Sequence, residues 1–208
     1  DITSNGTLDF TGGALNGGGG IFINNLFNIN NPGSTVSIGQ VVNINSGGTA
    51  VWQAGGQNIN ATAGGSIMVL GGGAFDVQAT NTIAAPVTID AGGTLQRTSA
   101  AGVSTFSAGV VNNGAIDVQT GTLQLTGGFT DNGTIDIANS ATFAVPAGFT
   151  QNGSVTEIAA GGTLDVGPSS IDLTAGGVLS GNGTVNGNVN NISGVISAGT
   201  SPGGMLIN

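Results

Sequence analysis

A unit of about 20 residues recurs three times in the middle of the chain and constrains the fold more than any other feature. The three copies are VVNNGAIDVQTGTLQL at 110–125, FTDNGTIDIANSATFAV at 129–145 and FTQNGSVTEIAAGGTLDV at 149–166. The step is 19 residues from Asn113 to Asn132 and 20 residues from Asn132 to Asn152. Repetition at this period predicts a solenoid, in which each unit buries its apolar side chains by stacking on its neighbours.

Apolar and polar residues alternate inside each unit, as in Ile116-Asp117-Val118. This alternation indicates short, half-buried strands, and we predict two strands per unit. Asn-Gly and Gly-Gly pairs would supply the positive φ of the corners between strands. Stacking predicts three apolar columns: Val110 over Phe129 and Phe149, Ile116 over Ile135 and Val155, and Leu123 over Phe143 and Leu164.

One residue conflicts with these columns. The register places Glu157 on the inward side defined by Val118 and Ile137. Either a β-bulge returns Ile158 to the core or the register breaks at this point. We expect the bulge, because an unpaired buried carboxylate is costly.

The same pattern extends through the rest of the chain with looser spacing, as in GGTAVW at 47–52 and GGSIMVL at 64–70. We therefore predict one all-β domain over residues 1–208, a β-solenoid of about ten rungs of roughly 20 residues. Its parts are irregular N-terminal rungs at 1–46, repeat rungs at 47–175 and a C-terminal module at 176–208. At a strand spacing of about 4.8 Å, the rod would be about 50 Å long.

The composition excludes several functions. The chain has ten acidic residues, a single basic residue and a formal net charge of -9, so it has no basic patch for nucleic acid. It contains no His, Cys or Lys, which excludes His-dependent nucleophile triads and Cys or Lys nucleophiles. No run of about 18 apolar residues occurs, so no membrane-spanning helix is expected.

Acidic residues are the main candidates for chemistry. Five of them lie between apolar neighbours and should point outward: Asp9, Asp76, Asp117, Asp136 and Asp165. Asp117 and Asp136 occupy equivalent positions on successive rungs, about 5 Å apart. Such a pair could bind Ca²⁺ or supply the acid and base of a glycosidase, and the alternative is that it only solubilises an outer face. No other metal or cofactor is expected.

Two further side chains have structural explanations. Arg97, the only basic residue, is expected to be a solubilising or interface residue. Trp52 could form a platform for sugars, although a single aromatic residue on an apolar strand is more often part of the core.

The C-terminal segment GVLSGNGTVNGNVNNISGVISAGTSPGGMLI at 177–207 resembles a module of Gram-negative autotransporter passenger domains and related secreted adhesins. The matching positions are Leu179, Gly181, Gly183, Thr184, Val185, Gly187, Val189, Asn191, Gly194, Val195, Gly199, Ser201, Pro202, Gly203 and Leu206. Ala198 departs from the pattern, where the family usually has Pro. The resemblance implies a right-handed parallel β-helix exported to the cell surface or beyond. Because further strands commonly follow the module, it also implies that this chain is part of a longer polypeptide or that another subunit completes its end.

These observations lead to one functional hypothesis and two alternatives. The first is a non-enzymatic extracellular or cell-surface structural protein or adhesin of a Gram-negative-type bacterium, whose partner is carbohydrate or another copy of itself. The first alternative is an extracellular filament subunit that stacks end to end, because the terminal rungs would leave unpaired strand edges. The second alternative is a β-helical polysaccharide-degrading enzyme, which requires at least three clustered acidic residues and a base.

Overall fold

The computed structural model describes residues 1–99, 101–199 and 204–208. Within these residues the chain forms 28 strands and no helix, so no helix is available that could cross a membrane. All described strand pairs are parallel, and successive coils of about 21 residues stack into a β-solenoid of about ten turns. The predicted fold class is therefore confirmed.

Each coil has three sides, which we call faces 1, 2 and 3. Face 1 contains β1 Ile2–Ser4, β4 Ile21–Ile23, β7 Val41–Ile44, β10 Ser66–Val69, β13 Val87–Ile89, β16 Val110–Asn112, β19 Phe129–Asp131 and β22 Phe149–Asn152. Face 2 contains β2 Thr7–Phe10, β5 Leu26–Ile29, β8 Thr49–Trp52, β11 Ala74–Val77, β14 Thr94–Arg97, β17 Ala115–Val118, β20 Thr134–Ile137, β23 Val155–Ile158, β25 Val178–Gly181 and β27 Val195–Ala198.

Face 3 contains β3 Gly13–Leu15, β6 Val36–Ile38, β9 Ile59–Ala61, β12 Thr82–Ala84, β15 Val103–Phe106, β18 Thr122–Leu125, β21 Thr142–Ala144 and β28 Leu206–Ile207. Two long strands, β24 Thr163–Thr174 and β26 Thr184–Asn191, run from face 3 into face 1 of the next coil. Of the module that resembles autotransporter passengers, Ser201, Pro202 and Gly203 lie outside the described residues.

The prediction of two strands per unit is wrong, because the segment before each Asn-Gly pair is also a strand. Val110–Asn112 pairs with Phe129–Asp131 in parallel, and this ladder forms face 1. A strand of three residues is too short for an alternation of apolar and polar residues to be recognised, and the last residue of this strand, Asn112, is polar. The third strand closes the coil into a triangle around a single core.

The core consists of the inward columns of the three faces. Val110 pairs with Phe129, Ile116 with Ile135 and Leu123 with Phe143, as predicted. The described inward residues of the middle coils are almost all fully buried. Trp52 belongs to this core: it is fully buried, and its indole Nε1 donates to the carbonyl oxygen of Gln57 at 3.2 Å.

Glycine has two separate roles at the corners. In the pair Gly92-Gly93 the first residue has a φ of +80°, while a Cβ on the second would collide with the carbonyl oxygen of Val69 in the coil below. In the Asn132-Gly133 corner, Gly133 is not among the residues with positive φ, and a Cβ there would collide with the carbonyl oxygen of Gly114. The prediction that Asn-Gly supplies positive φ is therefore wrong at this corner, where close stacking of the coils requires glycine.

The predicted bulge at Glu157 is also wrong. Asp131 pairs with Gln151, whereas Thr134 pairs with Val155, so the extra residue lies in the corner and not in the strand. As a result, Glu157 points outward next to Asp136, and Ile158 pairs with Ile137 in the core.

The same shift changes the apolar column on face 2. Thr156, and not Val155, stacks on Ile135, and it is fully buried. Val155 moves to the outer side, where it is 37% exposed.

Candidate functional site

Three carboxylates form one outward column on face 2. Asp117 pairs with Asp136, and Asp136 pairs with Glu157, so the three side chains occupy successive coils about 4.8 Å apart. We call this column the carboxylate ladder. Asp117 and Asp136 were predicted as neighbours, while Glu157 was missed because its register depends on the extra corner residue.

The ladder lines a shallow depression of about 150 Å³, together with residues that include Ala138 and Ala159. Gln119 donates from its Nε2 to Asp117 Oδ2 at 2.7 Å. Partial burial raises the pKa of Asp136, and the negative charges of Glu157 and Asp117 raise it further. A like charge on each side makes ionisation of the central carboxyl group unfavourable.

A stack of carboxylates has two possible chemical uses. Carboxylate oxygens are ligands for Ca²⁺, and two carboxylates about 5.5 Å apart can serve a retaining glycosidase. Among the described residues, no group of three or more His, Cys, Asp or Glu side chains is arranged to hold a metal ion. Calcium binding by Asp117 and Asp136 therefore stays a prediction.

The other outward acidic residues differ in exposure. Asp9 is exposed and accepts a hydrogen bond from Asn28 Nδ2 at 2.8 Å, and Asp165 is half-buried. Asp76 takes the outward position of its strand, as predicted, but it is only 7% exposed. Its two oxygens accept hydrogen bonds from Gln78 Nε2 and Thr98 Oγ1, both at 2.7 Å.

Arg97 is neither a solubilising residue nor an interface residue, because its side chain is fully buried. It takes the inward position of β14 and pairs with Val118 of the next coil. The guanidinium donates to the carbonyl oxygens of Ala79 and Gly102, both at 3.1 Å, and to the hydroxyl of Ser104. Burial lowers its pKa, while the charge of Asp76 opposes this effect. Its bonds to main-chain oxygens indicate a structural role, and it supplies no surface base beside the ladder.

A second polar group, which the sequence reasoning missed, lies inside the core at the corner between faces 1 and 2. Asp131 is 1% exposed, and its Oδ1 accepts a hydrogen bond from Asn112 Nδ2 while its Oδ2 accepts one from Ser154 Oγ, both at 2.7 Å. Gln151 continues the stack and donates to the carbonyl oxygen of Ser154 at 2.8 Å. We call Asn112, Asp131, Gln151 and Ser154 the buried polar network.

Desolvation raises the pKa of Asp131, and the hydrogen bonds from Ser154, Asn112 and the Gly133 amide lower it in part. The sequence carries a signal for this network, because the residue before three successive Asn-Gly pairs is Asn, Asp or Gln. Once the segment before each Asn-Gly pair is recognised as a strand, this polar residue takes an inward position.

A groove follows the same corner on the outside. Four successive coils line a cavity of about 470 Å³, which we call the corner groove. Its lining is Gly92, Gly93, Thr94, Asn113, Gly114, Ala115, Asn132, Gly133, Thr134, Gly153, Ser154 and Val155. Asn132 Nδ2 donates to Asn113 Oδ1 at 3.0 Å, so the two exposed amides are held in a ladder.

The structure thus brings Asp117 and Asp136 together as predicted, adds Glu157 to them, and places Arg97 in the core. The buried polar network and the corner groove meet at Ser154, which belongs to both. Comparison of the chain with protein-family models, with curated proteins and with solved structures finds no match.

Proposed function

We propose that this chain is a non-enzymatic β-solenoid rod of the cell surface or extracellular space of a Gram-negative-type bacterium, and that it binds carbohydrate along the corner groove. The observation that carries the proposal is the groove itself, which spans four coils and is lined by amides, hydroxyls and exposed main chain. The resemblance of residues 177–207 to secreted passenger domains supports the location.

The lining chemistry suits an uncharged or weakly charged glycan. Asn113 and Asn132 offer amide donors and acceptors, and Thr94 and Thr134 add hydroxyls. A sugar hydroxyl both donates and accepts hydrogen bonds, so the groove offers it an acceptor and a donor. Each such hydrogen bond contributes about 1 kcal/mol, so affinity must come from several coils acting together. The absence of basic residues around the groove disfavours phosphorylated or nucleic-acid ligands.

A binding assay with matched variants tests this proposal. Neutral and acidic polysaccharides would be titrated against the full chain and against Asn132→Ala, and we expect the variant to bind about fivefold more weakly. Asn45→Ala is the control, because it removes a similar amide ladder bond, from Asn45 Nδ2 to Asn24 Oδ1 at 2.6 Å, outside the groove. Equal binding by both variants, or binding by neither parent nor variants, would contradict the proposal.

A second candidate, end-to-end assembly into a filament, is favoured by the terminal coils. Apolar side chains are exposed there: Ile2 is 49%, Val195 51%, Ile196 40%, Leu206 55% and Ile207 45% exposed. If a second copy stacked in register, Ile196 would face Leu8 and Ser197 would face Asp9, which keeps apolar residues inside and polar ones outside. The contact would be heterologous and would not close into a ring.

Electron microscopy of the purified chain separates rods from filaments. Ile196→Lys would place a charge in the inward column and should abolish fibres, whereas Ser197→Lys, on the outer side of the same strand, should leave them intact. Isolated rods of about 50 Å from the parent chain would rule out assembly by this route.

Polysaccharide degradation remains the other alternative, and the third carboxylate of the ladder is the observation in its favour. The panel of polysaccharides used for binding also tests it when product release is measured. If uronic-acid polymers are cleaved and Asp136→Asn abolishes the cleavage, the non-enzymatic proposal is wrong.

A further inference from the structure

Seven Asn-Gly pairs occur in the sequence, beginning at Asn5, Asn16, Asn113, Asn132, Asn152, Asn182 and Asn186. Such pairs can modify themselves without an enzyme. The main-chain nitrogen of glycine loses its proton and attacks the side-chain carbonyl carbon of asparagine, and a new C–N bond forms. The bond from that carbon to the side-chain nitrogen breaks, and this nitrogen leaves as ammonia, with a proton replacing the bond. Water then opens the cyclic imide to aspartate or isoaspartate. The reaction needs a glycine amide that is free to lose its proton and an electrophilic asparagine carbonyl.

The fold restrains the attacking amide in five of the seven pairs. In each of these the glycine N–H donates a hydrogen bond to a fixed acceptor: Gly114 to Asn112 Oδ1 at 3.1 Å, Gly133 to Asp131 Oδ1 at 3.4 Å, Gly153 to Thr174 O at 3.0 Å, Gly183 to Ile158 O at 3.1 Å and Gly187 to Asn208 O at 3.1 Å. An amide held in this way is a weaker acid and is kept from turning toward the side chain before it. The buried polar network supplies two of the five acceptors.

The first coil lacks this restraint. Within the described residues, the N–H groups of Gly6 and Gly17 donate no hydrogen bond, and both glycines are exposed. Gly6 also has open space where a side chain would stand. The two amides are therefore solvated and can be deprotonated by hydroxide.

Asn5 has a second feature that favours reaction. Its carbonyl Oδ1 accepts a hydrogen bond from Asn24 Nδ2 at 2.7 Å. A donor on this oxygen draws electrons from the carbonyl carbon and stabilises the negative charge that develops as the glycine nitrogen attacks. No such bond to Asn16 Oδ1 occurs within the described residues.

We propose that Asn5-Gly6 is a site of spontaneous deamidation, that Asn16-Gly17 reacts next, and that the fold protects the other five pairs. Conversion of Asn5 adds one negative charge to the first coil. The isoaspartate product also adds a methylene group to the main chain at the corner between β1 and β2, which distorts this coil.

Mass-spectrometric peptide mapping of the folded chain tests the order of reaction. The chain would be incubated at mildly alkaline pH and digested with a protease that cleaves after aromatic and large aliphatic residues, because Arg97 is the only tryptic site. We expect the Asn5 peptide to react first and the five protected pairs at least about tenfold more slowly, a barrier difference of about 1.4 kcal/mol. Reaction at Asn113 or Asn132 as fast as at Asn5 would overturn the proposal.

Two variants test the role of the donor. Asn24→Ala removes the hydrogen bond to Asn5 Oδ1 and should slow reaction at Asn5 about fivefold, or about 1 kcal/mol in the barrier. Asn45→Ala is the control, since it contacts Asn24 and not Asn5, and it should leave the rate unchanged. If Asn24→Ala reacts at the parental rate, the carbonyl is not activated by Asn24. Incubation of the chain in denaturant should bring all seven sites to similar rates, and a persisting difference would mean that local sequence, not the fold, sets the order.

Discussion

The buried polar network and the carboxylate ladder lie five residues apart on one coil, yet they treat a carboxyl group in opposite ways. Asp131 is surrounded by donors from Asn112, Ser154 and the Gly133 amide, while Asp136 lies between two other carboxylates. Burial is the main cause of the raised pKa in both. At Asp131 the neighbours oppose the shift, and at Asp136 they add to it. Two aspartates on successive strands therefore differ in their surroundings: hydrogen bonds favour the charged form of Asp131, whereas neighbouring charges disfavour that of Asp136.

The largest expected difference concerns removal of the carboxyl group. Asp131→Leu leaves the Ser154 hydroxyl buried without its acceptor and removes one of the two acceptors of the Asn112 amide, which also donates to the carbonyl oxygen of Thr134. It should lower the free energy of unfolding by about 2–4 kcal/mol. Asp136→Leu removes like-charge repulsion and should change it by no more than about 0.5 kcal/mol. Urea denaturation measures both, and equal losses would contradict the distinction between the two sites.

The dependence of stability on pH should report the raised pKa of both groups. A carboxyl group whose pKa is raised in the folded state binds its proton more tightly there, so stability declines as pH rises from the unfolded value of about 3.9 through the folded value. The denaturation midpoint of the parent chain should therefore be higher at mildly acidic than at neutral pH. Asp131→Asn and Asp136→Asn should each flatten this dependence, because each variant removes one carboxyl group whose pKa is raised. A midpoint that rises with pH over this range would contradict the assignment.

Thr156 provides a smaller test of the corner insertion. Its side chain is fully buried opposite Ile135, and within the described residues its hydroxyl makes no hydrogen bond. Thr156→Val keeps the shape and removes the unpaired hydroxyl, so we expect a stabilisation of about 1 kcal/mol. Val155→Thr on the exposed side is the matched control and should be neutral. The opposite ranking would mean that Val155, and not Thr156, faces the core.

Calcium should have the smallest effect. If the carboxylate ladder binds Ca²⁺, added calcium should raise Tm by a few degrees and EDTA should reverse the rise, because a ligand that binds only the folded state stabilises it. Asp136→Asn should abolish the response, and Asp9→Asn, on the same face but away from the ladder, should retain it. An unchanged Tm in calcium and EDTA would exclude the site.

Much of the fold could be predicted, because residues at equivalent positions of the repeated units stack on one another in successive coils. The pairing of Ile116 with Ile135 and of Leu123 with Phe143 follows from alignment of the units. Glu157 could not be placed, because the extra residue fits equally into a strand or a corner when only the sequence is read. The burial of Arg97 could not be predicted, because a buried guanidinium needs several acceptors. These acceptors, which include the carbonyl oxygens of Ala79 and Gly102, are brought together by the fold and leave no local pattern in the sequence.

Residue-specific NMR titration of the side-chain carboxyl carbons most directly tests the register that creates both sites. We expect the pKa of Asp136 to fall toward its ordinary value in Glu157→Gln and in Asp117→Asn, because each variant removes one neighbouring charge, while the pKa of Asp131 stays raised in both. If Asp136 titrates identically in the parent chain and in Glu157→Gln, Glu157 does not belong to the ladder, and the register of the solenoid at this coil is wrong.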